Sequence, residues 1–167
     1  ALNSANGNIT FGSTVNGGQA LGLTAGTGTV DMQGIVGGGA ALSSLTVVSA
    51  TTARFGGNVT TTGAQLVTAG TIQTNGTHQT TNTDITLTGN VVLQAGTALN
   101  TGAAGGCGSV VGTVSGAQSL SLTAGTGNVD LQGAVGGVAR SGLTVFSATT
   151  ARFGWYVTTS STQSWTA

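Results

Sequence analysis

The chain has no proline, no lysine and no glutamate, and its 167 residues include only three arginines and three aspartates. Each absence removes a class of answer. Proline would break a strand ladder by deleting a donor, so a chain without it is free to pair along its whole length. Glutamate and lysine fill the exposed faces of helices; with both missing and Thr, Val and Gly dominant, extended structure is favoured over helix. The single cysteine, Cys107, rules out an internal disulfide framework and most cysteine-based metal sites. A formal net charge of zero gives no electrostatic footprint for nucleic acid or for an anionic membrane surface. No stretch approaches the roughly 20 consecutive apolar residues of a membrane-spanning helix. The chain opens at Ala1 without a basic and apolar leader, which reads as a mature product or as an excerpt from something longer.

Thirty-one glycines with so little charge could describe a flexible linker. Disordered segments, however, pair low hydrophobicity with high charge, and here only 4% of residues are charged while mean hydropathy is +0.30. Leu, Val and Ile also alternate with Thr and Ser at period two, the pattern of half-buried strands. The length suits a single folded domain over residues 1–167.

What the chain does contain is a copy of itself. Residues 20–38, ALGLTAGTGTVDMQGIVGG, return about 99 positions later as residues 119–137, SLSLTAGTGNVDLQGAVGG. SATTARFG at 49–56 returns at 147–154, with one residue dropped near Ser43. An internal repeat fixes the kind of architecture before anything else is read. Copy one covers about residues 8–69, copy two about 108–167, and more degenerate coils fill about 70–107.

Two sets of strands follow from the alternation. The first takes residues 9–11, 30–32, 53–55, 71–73, 91–93, 109–111, 129–131 and 151–153. The second takes 21–23, 45–47, 65–67, 85–87, 98–100, 120–122, 143–145 and 164–166. Two interleaved columns with a shared period describe an all-β parallel solenoid of about eight coils of 20–24 residues, roughly 35–40 Å long. Outward Thr, Ser, Asn and Gln then stack in ladders, where like charges would repel. The repeated TAGTG at 24–28 and 123–127 reads as a corner, with glycine supplying positive φ. THQTTNTD at 77–84 reads as a polar corner or outer strand without a core contribution, and AAGGCG at 103–108 as the widest loop.

Candidate site residues are few. Asp31, Asp84 and Asp130 are the only carboxylates, and Asp31 and Asp130, on the order of 24 Å apart, are too distant to work as a pair, so neither an enzyme nor a cofactor is expected. Each of the two lies about one coil before an arginine, which predicts outward ladder pairs Asp31–Arg54 and Asp130–Arg152 that fix which coil follows which. Phe55 and Phe153, at matching places, are predicted to face inward and be nearly buried. His78 lacks the partners of a zinc site and reads as a solvated loop residue. Cys107 is either a small loop residue or a thiol open to intermolecular pairing. The N-x-[ST] matches at Asn8, Asn58 and Asn75 carry no weight in so threonine-rich a chain. Thr60/Thr62 and Thr81/Thr83 would stack as a flat Thr-x-Thr face, which keeps ice binding open as an alternative function.

Read together, residues 7–38 (GNITFGSTVNGGQALGLTAGTGTVDMQGIVGG) and 45–65 (LTVVSATTARFGGNVTTTGAQ) resemble the repeats of filamentous-haemagglutinin-like adhesins of two-partner secretion and of related repetitive autotransporter passengers. The resemblance covers most of the chain, in two copies. It implies a right-handed parallel β-helix, export from a Gram-negative bacterium, and service at the cell surface as a stalk or adhesive fibre, with any glycan- or receptor-binding tip elsewhere. The second copy departs from the pattern at its end: Trp155 and Tyr156 replace Gly57 and Asn58, and Trp165 replaces Val67. With no cap recognisable at either end, these aromatics are expected to meet further coils or a head-to-tail copy, which would extend a filament.

Overall fold

A computed structural model describes residues 1–166. Among these there is no helix; all strands belong to one parallel β-solenoid of about 8 turns with coils about 21 residues apart. The coil has three faces, not two. On the first, which we call A, the inward column runs Ile9, Val30, Ala53, Ile72, Val91, Val114, Val135 and Val157. Face B carries Val15, Val36, Val59, His78, Leu99, Leu122, Val145 and Trp165. Face C carries Leu2, Leu23, Val47, Val67, Leu87, Val110, Leu131 and Phe153. Numbering coils from the end that holds Leu2, coil 1 contains Leu2, Ile9 and Val15, and coil 8 contains Phe153, Val157 and Trp165.

The period-two alternation explains why these residues form these columns. In strand Thr29–Met32 the even positions Val30 and Met32 are buried, and Asp31 points out. Each fully buried aliphatic side chain contributes about 1.5–3 kcal/mol, and neighbouring coils cover each other, so the core is a continuous filament of such contacts. Corners are held differently. Asparagine side chains accept a backbone N–H from the coil above: Asn8 from Thr29 at 2.9 Å, Asn16 from Gly39 at 2.9 Å, Asn58 from Thr77 at 2.9 Å and Asn82 from Ala104 at 2.9 Å. The repeated TAGTG is a corner as expected. Gly26 and Gly125 hold the left-handed φ values of 58° and 54°, and a Cβ on Gly28 or Gly127 would run into the carbonyl of Gly7 or Gly106 below.

The two copies do not lie on the same faces. Leu23 sits on face C of coil 2, whereas its counterpart Leu122 sits on face B of coil 6. The repeat therefore spans four and two-thirds coils, and copy two is rotated by one face relative to copy one. Aligning the copies with each other had placed 109–111 over 91–93, and 98–100 over 85–87. Instead Ser109 pairs with Thr86 and Val114 with Val91, while Ala98 pairs with Thr77. Coils stack by their position in the turn, and sequence likeness across a non-integral number of turns does not report that position.

Candidate functional site

The outward ladder pairs are adjacent in both copies: Asp31 beside Arg54 on face A, and Asp130 beside Arg152 on face C. Their side chains differ. Arg54 Nη1 lies 3.9 Å from Asp31 Oδ1, the one ion pair among the described residues, and Gln33 Nε2 donates to Asp31 Oδ2 at 2.9 Å. In copy two Gln132 repeats that hydrogen bond to Asp130 at 3.0 Å, but Arg152 makes no ion pair. Arg54 pairs with Asp31 below and Gln73 of the next coil above, while among the described residues no strand pairs above Arg152. Arg152 borders an open groove of about 410 Å³ together with Asp130, Gln132, Phe153 and Gly154.

The aromatics are likewise unequal. Phe55 is buried at 1% exposure, whereas Phe153 faces inward but is only partly covered, which corrects the expectation for it. The physical cause is the coil above. Thr74 pairs with Phe55, and His78 meets its ring edge-on at 5.1 Å. Phe153 stacks on Leu131 below it and meets Trp165 of its own coil edge-on at 4.6 Å. Trp155, Tyr156 and Trp165 are all exposed, as is Phe146. In copy one a Cβ on Gly57 would crowd Ile35; the residues at these two places in copy two are Trp155 and Ala134.

His78 is not a loop residue. It is fully buried on face B, inside strand Gln65–Gln79, and it centres a polar cluster within the core. Gln65 Nε2 donates to the carbonyls of Val59 and Gln79 at 3.2 and 2.9 Å, and lies 3.3 Å from Thr61 Oγ1. That fixes Gln65 Oε1 as the atom facing His78 Nδ1 at 2.9 Å. An amide oxygen only accepts, so Nδ1 carries the proton, and Nε2 accepts from the Thr74 hydroxyl at 2.7 Å. Every polar group is used with the imidazole neutral, and burial lowers the His78 pKa to about 4. The cluster had a legible signal: Thr74, His78 and Thr80 share the parity of the inward Ile72, and all are buried.

Arg140 was also missed. It stands where copy one has Leu42, pairing with Thr159 as Leu42 bridges Thr61. Its side chain is fully buried, and none of Nε, Nη1 and Nη2 has a hydrogen-bond partner. Burial pushes its pKa below the ordinary arginine value.

The remaining candidates serve the corners. Asp84 accepts the Cys107 N–H at 2.8 Å, and the Cys107 thiol is free and half-buried. Asn8 and Asn58 clamp the coils above them, and Asn75 donates to the Gly56 carbonyl at 3.3 Å. Thr60 pairs with Gln79, not with Thr81, so the Thr-x-Thr ladder is not formed. No three His, Cys, Asp or Glu side chains converge among the described residues. No protein-family model matches this chain, and no curated protein or solved structure matches it.

Proposed function

We propose that the chain is a structural segment of an extracellular fibre or adhesin at a bacterial cell surface, in which stacked coils provide length and stiffness. One observation supports this reading: three inward columns run unbroken through all eight coils, so the fold is a rod that lengthens only by stacking coils along one axis. Each coil pairs only with its neighbours along the axis, and ladders of this kind extend by adding coils. The partners we propose for such a rod are further coils, in a longer polypeptide or in copies stacked head to tail. The extracellular, Gram-negative setting rests on the resemblance of residues 7–38 and 45–65 to adhesin repeats. Electron microscopy of the purified protein tests the proposal. It should show straight rods about 38 Å long, or fibres built from them; compact round particles would contradict it.

A further inference from the structure

Coil 4 carries polar side chains at three inward positions where the coils on either side are apolar. Gln65 lies between Leu45 below and Ile85 above, Thr74 between Phe55 and Leu93, and His78 between Val59 and Leu99. All of these side chains are buried. The polar ones direct their hydrogen bonds at one another: Gln65 Oε1 accepts from His78 Nδ1, and the Thr74 hydroxyl donates to His78 Nε2. Gln65 Nε2 ties the group to the backbone carbonyls of Val59 and Gln79.

This arrangement is complete only for a neutral imidazole. A second proton, on Nε2, puts a full positive charge at the centre of the rod. The groups packed around the ring are Val59 and Phe55 of coil 3, Gln65 and Thr74 of coil 4, and Leu99 of coil 5, and none of them is charged or titrates. The nearest charged residues along the chain stand at the surface, Arg54 beside Asp31 and Asp84 on the Cys107 N–H. The Thr74 hydroxyl can turn to accept the new proton, so the hydrogen bonds survive, but a charge held away from water without a counter-ion is costly. The imidazolium reaches water only if coil 4 leaves its neighbours.

In a solenoid each coil touches only the coil below and the coil above, so opening one coil breaks two interfaces and no more. Coil 4 is the interior coil with least to lose, because three of its inward places are held by polar groups that water also satisfies. We propose that coil 4 is an acid-operated seam: a proton taken up at His78 releases strand Gln65–Gln79 from its neighbours while coils 1–3 and coils 5–8 stay folded. One stiff rod at neutral pH becomes two shorter rods joined by a loose turn in acid. The seam lies in the interior of the rod and is independent of the fibre reading.

Burial holds His78 neutral down to about pH 4, whereas in an opened strand it titrates near 6.5, so the open fraction of coil 4 rises roughly twentyfold between pH 7 and pH 5. Amide hydrogen exchange of the full chain at these two pH values, corrected for the intrinsic rate, tests this. Protection over residues 65–79 should fall roughly twentyfold and drop below that of the flanking strands Ser44–Ser49, Thr52–Phe55 and Ile85–Asn100. His78→Gln, which keeps a polar side chain but cannot titrate, should show no such fall. The same is expected of the chain carrying Gln65→Ile, Thr74→Leu and His78→Leu, which gives coil 4 the inward side chains of coil 5 and serves if the single variant does not fold. Unchanged protection over residues 65–79 of the native chain overturns the proposal. An equal fall in coils 3, 4 and 5 overturns it too, since the rod then opens as one unit. A fall that persists in the variants assigns the proton to another group and overturns the role of His78.

Discussion

Arg140 occupies in copy two the inward place that Leu42 occupies in copy one, with Thr159 above it where Leu42 has Thr61. One site is solved with a fully apolar side chain and the other with a guanidinium that finds no partner. A buried unpaired cation is among the most costly features a core can hold. Arg140→Leu is therefore expected to stabilise the chain by about 2 kcal/mol or more, measured as a raised urea midpoint at unchanged slope. A loss of stability would show that Arg140 has a partner that its surroundings conceal.

The buried imidazole makes stability depend on pH. The folded state holds His78 neutral down to about pH 4, while the unfolded chain takes up a proton at the ordinary value of 6.5. This contribution is complete above pH 6.5, declines as pH falls from 6.5 to 4, and levels off below that. Its total is about 3 kcal/mol, since each unit of pKa difference is worth about 1.4 kcal/mol. Denaturation midpoints taken between pH 4 and 7.5 should trace this fall, and His78→Gln should flatten it. A native chain with a flat profile would contradict the neutral, buried assignment.

Identical residues should have unequal effects in the two copies. Phe55→Ala removes a ring buried under coil 4 and is expected to cost about 3–5 kcal/mol. Phe153→Ala empties a half-covered site and should cost about half as much or less. Asp31→Ala, which loses a long ion pair to the exposed Arg54 and one hydrogen bond, should change stability by about 1 kcal/mol at most. Equal effects for the two phenylalanines would mean that coil 8 is covered in solution.

Much of this was open to reading from the sequence. Alternation gave the strands, parity gave Val30, Met32, Ala53 and Phe55 as inward, and the Asp–Arg spacing gave the adjacent ladder positions. The errors have three physical roots. His78 and Thr80 were set outside because polar residues seldom face a core, yet the parity of Ile72 ran straight through them. Arg140 went unseen because the dropped residue was placed near Ser43, which aligned Leu42 with Ser141 instead of Arg140. The face assignment failed for a deeper reason. Likeness between copies locates equivalent residues along the chain, but only the coil length locates them around the axis. Here that length turns copy two by a face.

The rotation of copy two against copy one is the claim on which the three columns depend. Engineered cysteines test it directly in a Cys107→Ser background. Ser109 and Thr86 are outward partners on adjacent strands of face C, at a separation suited to a disulfide. Val91, the partner that the other register gives Ser109, lies on face A beside Val114. Oxidation of the Ser109→Cys, Thr86→Cys chain should give an intramolecular crosslink in high yield, and the Ser109→Cys, Val91→Cys chain should give none. The reverse pattern would place residues 109–111 over 91–93, restore two columns with the copies in register, and contradict the three-faced account.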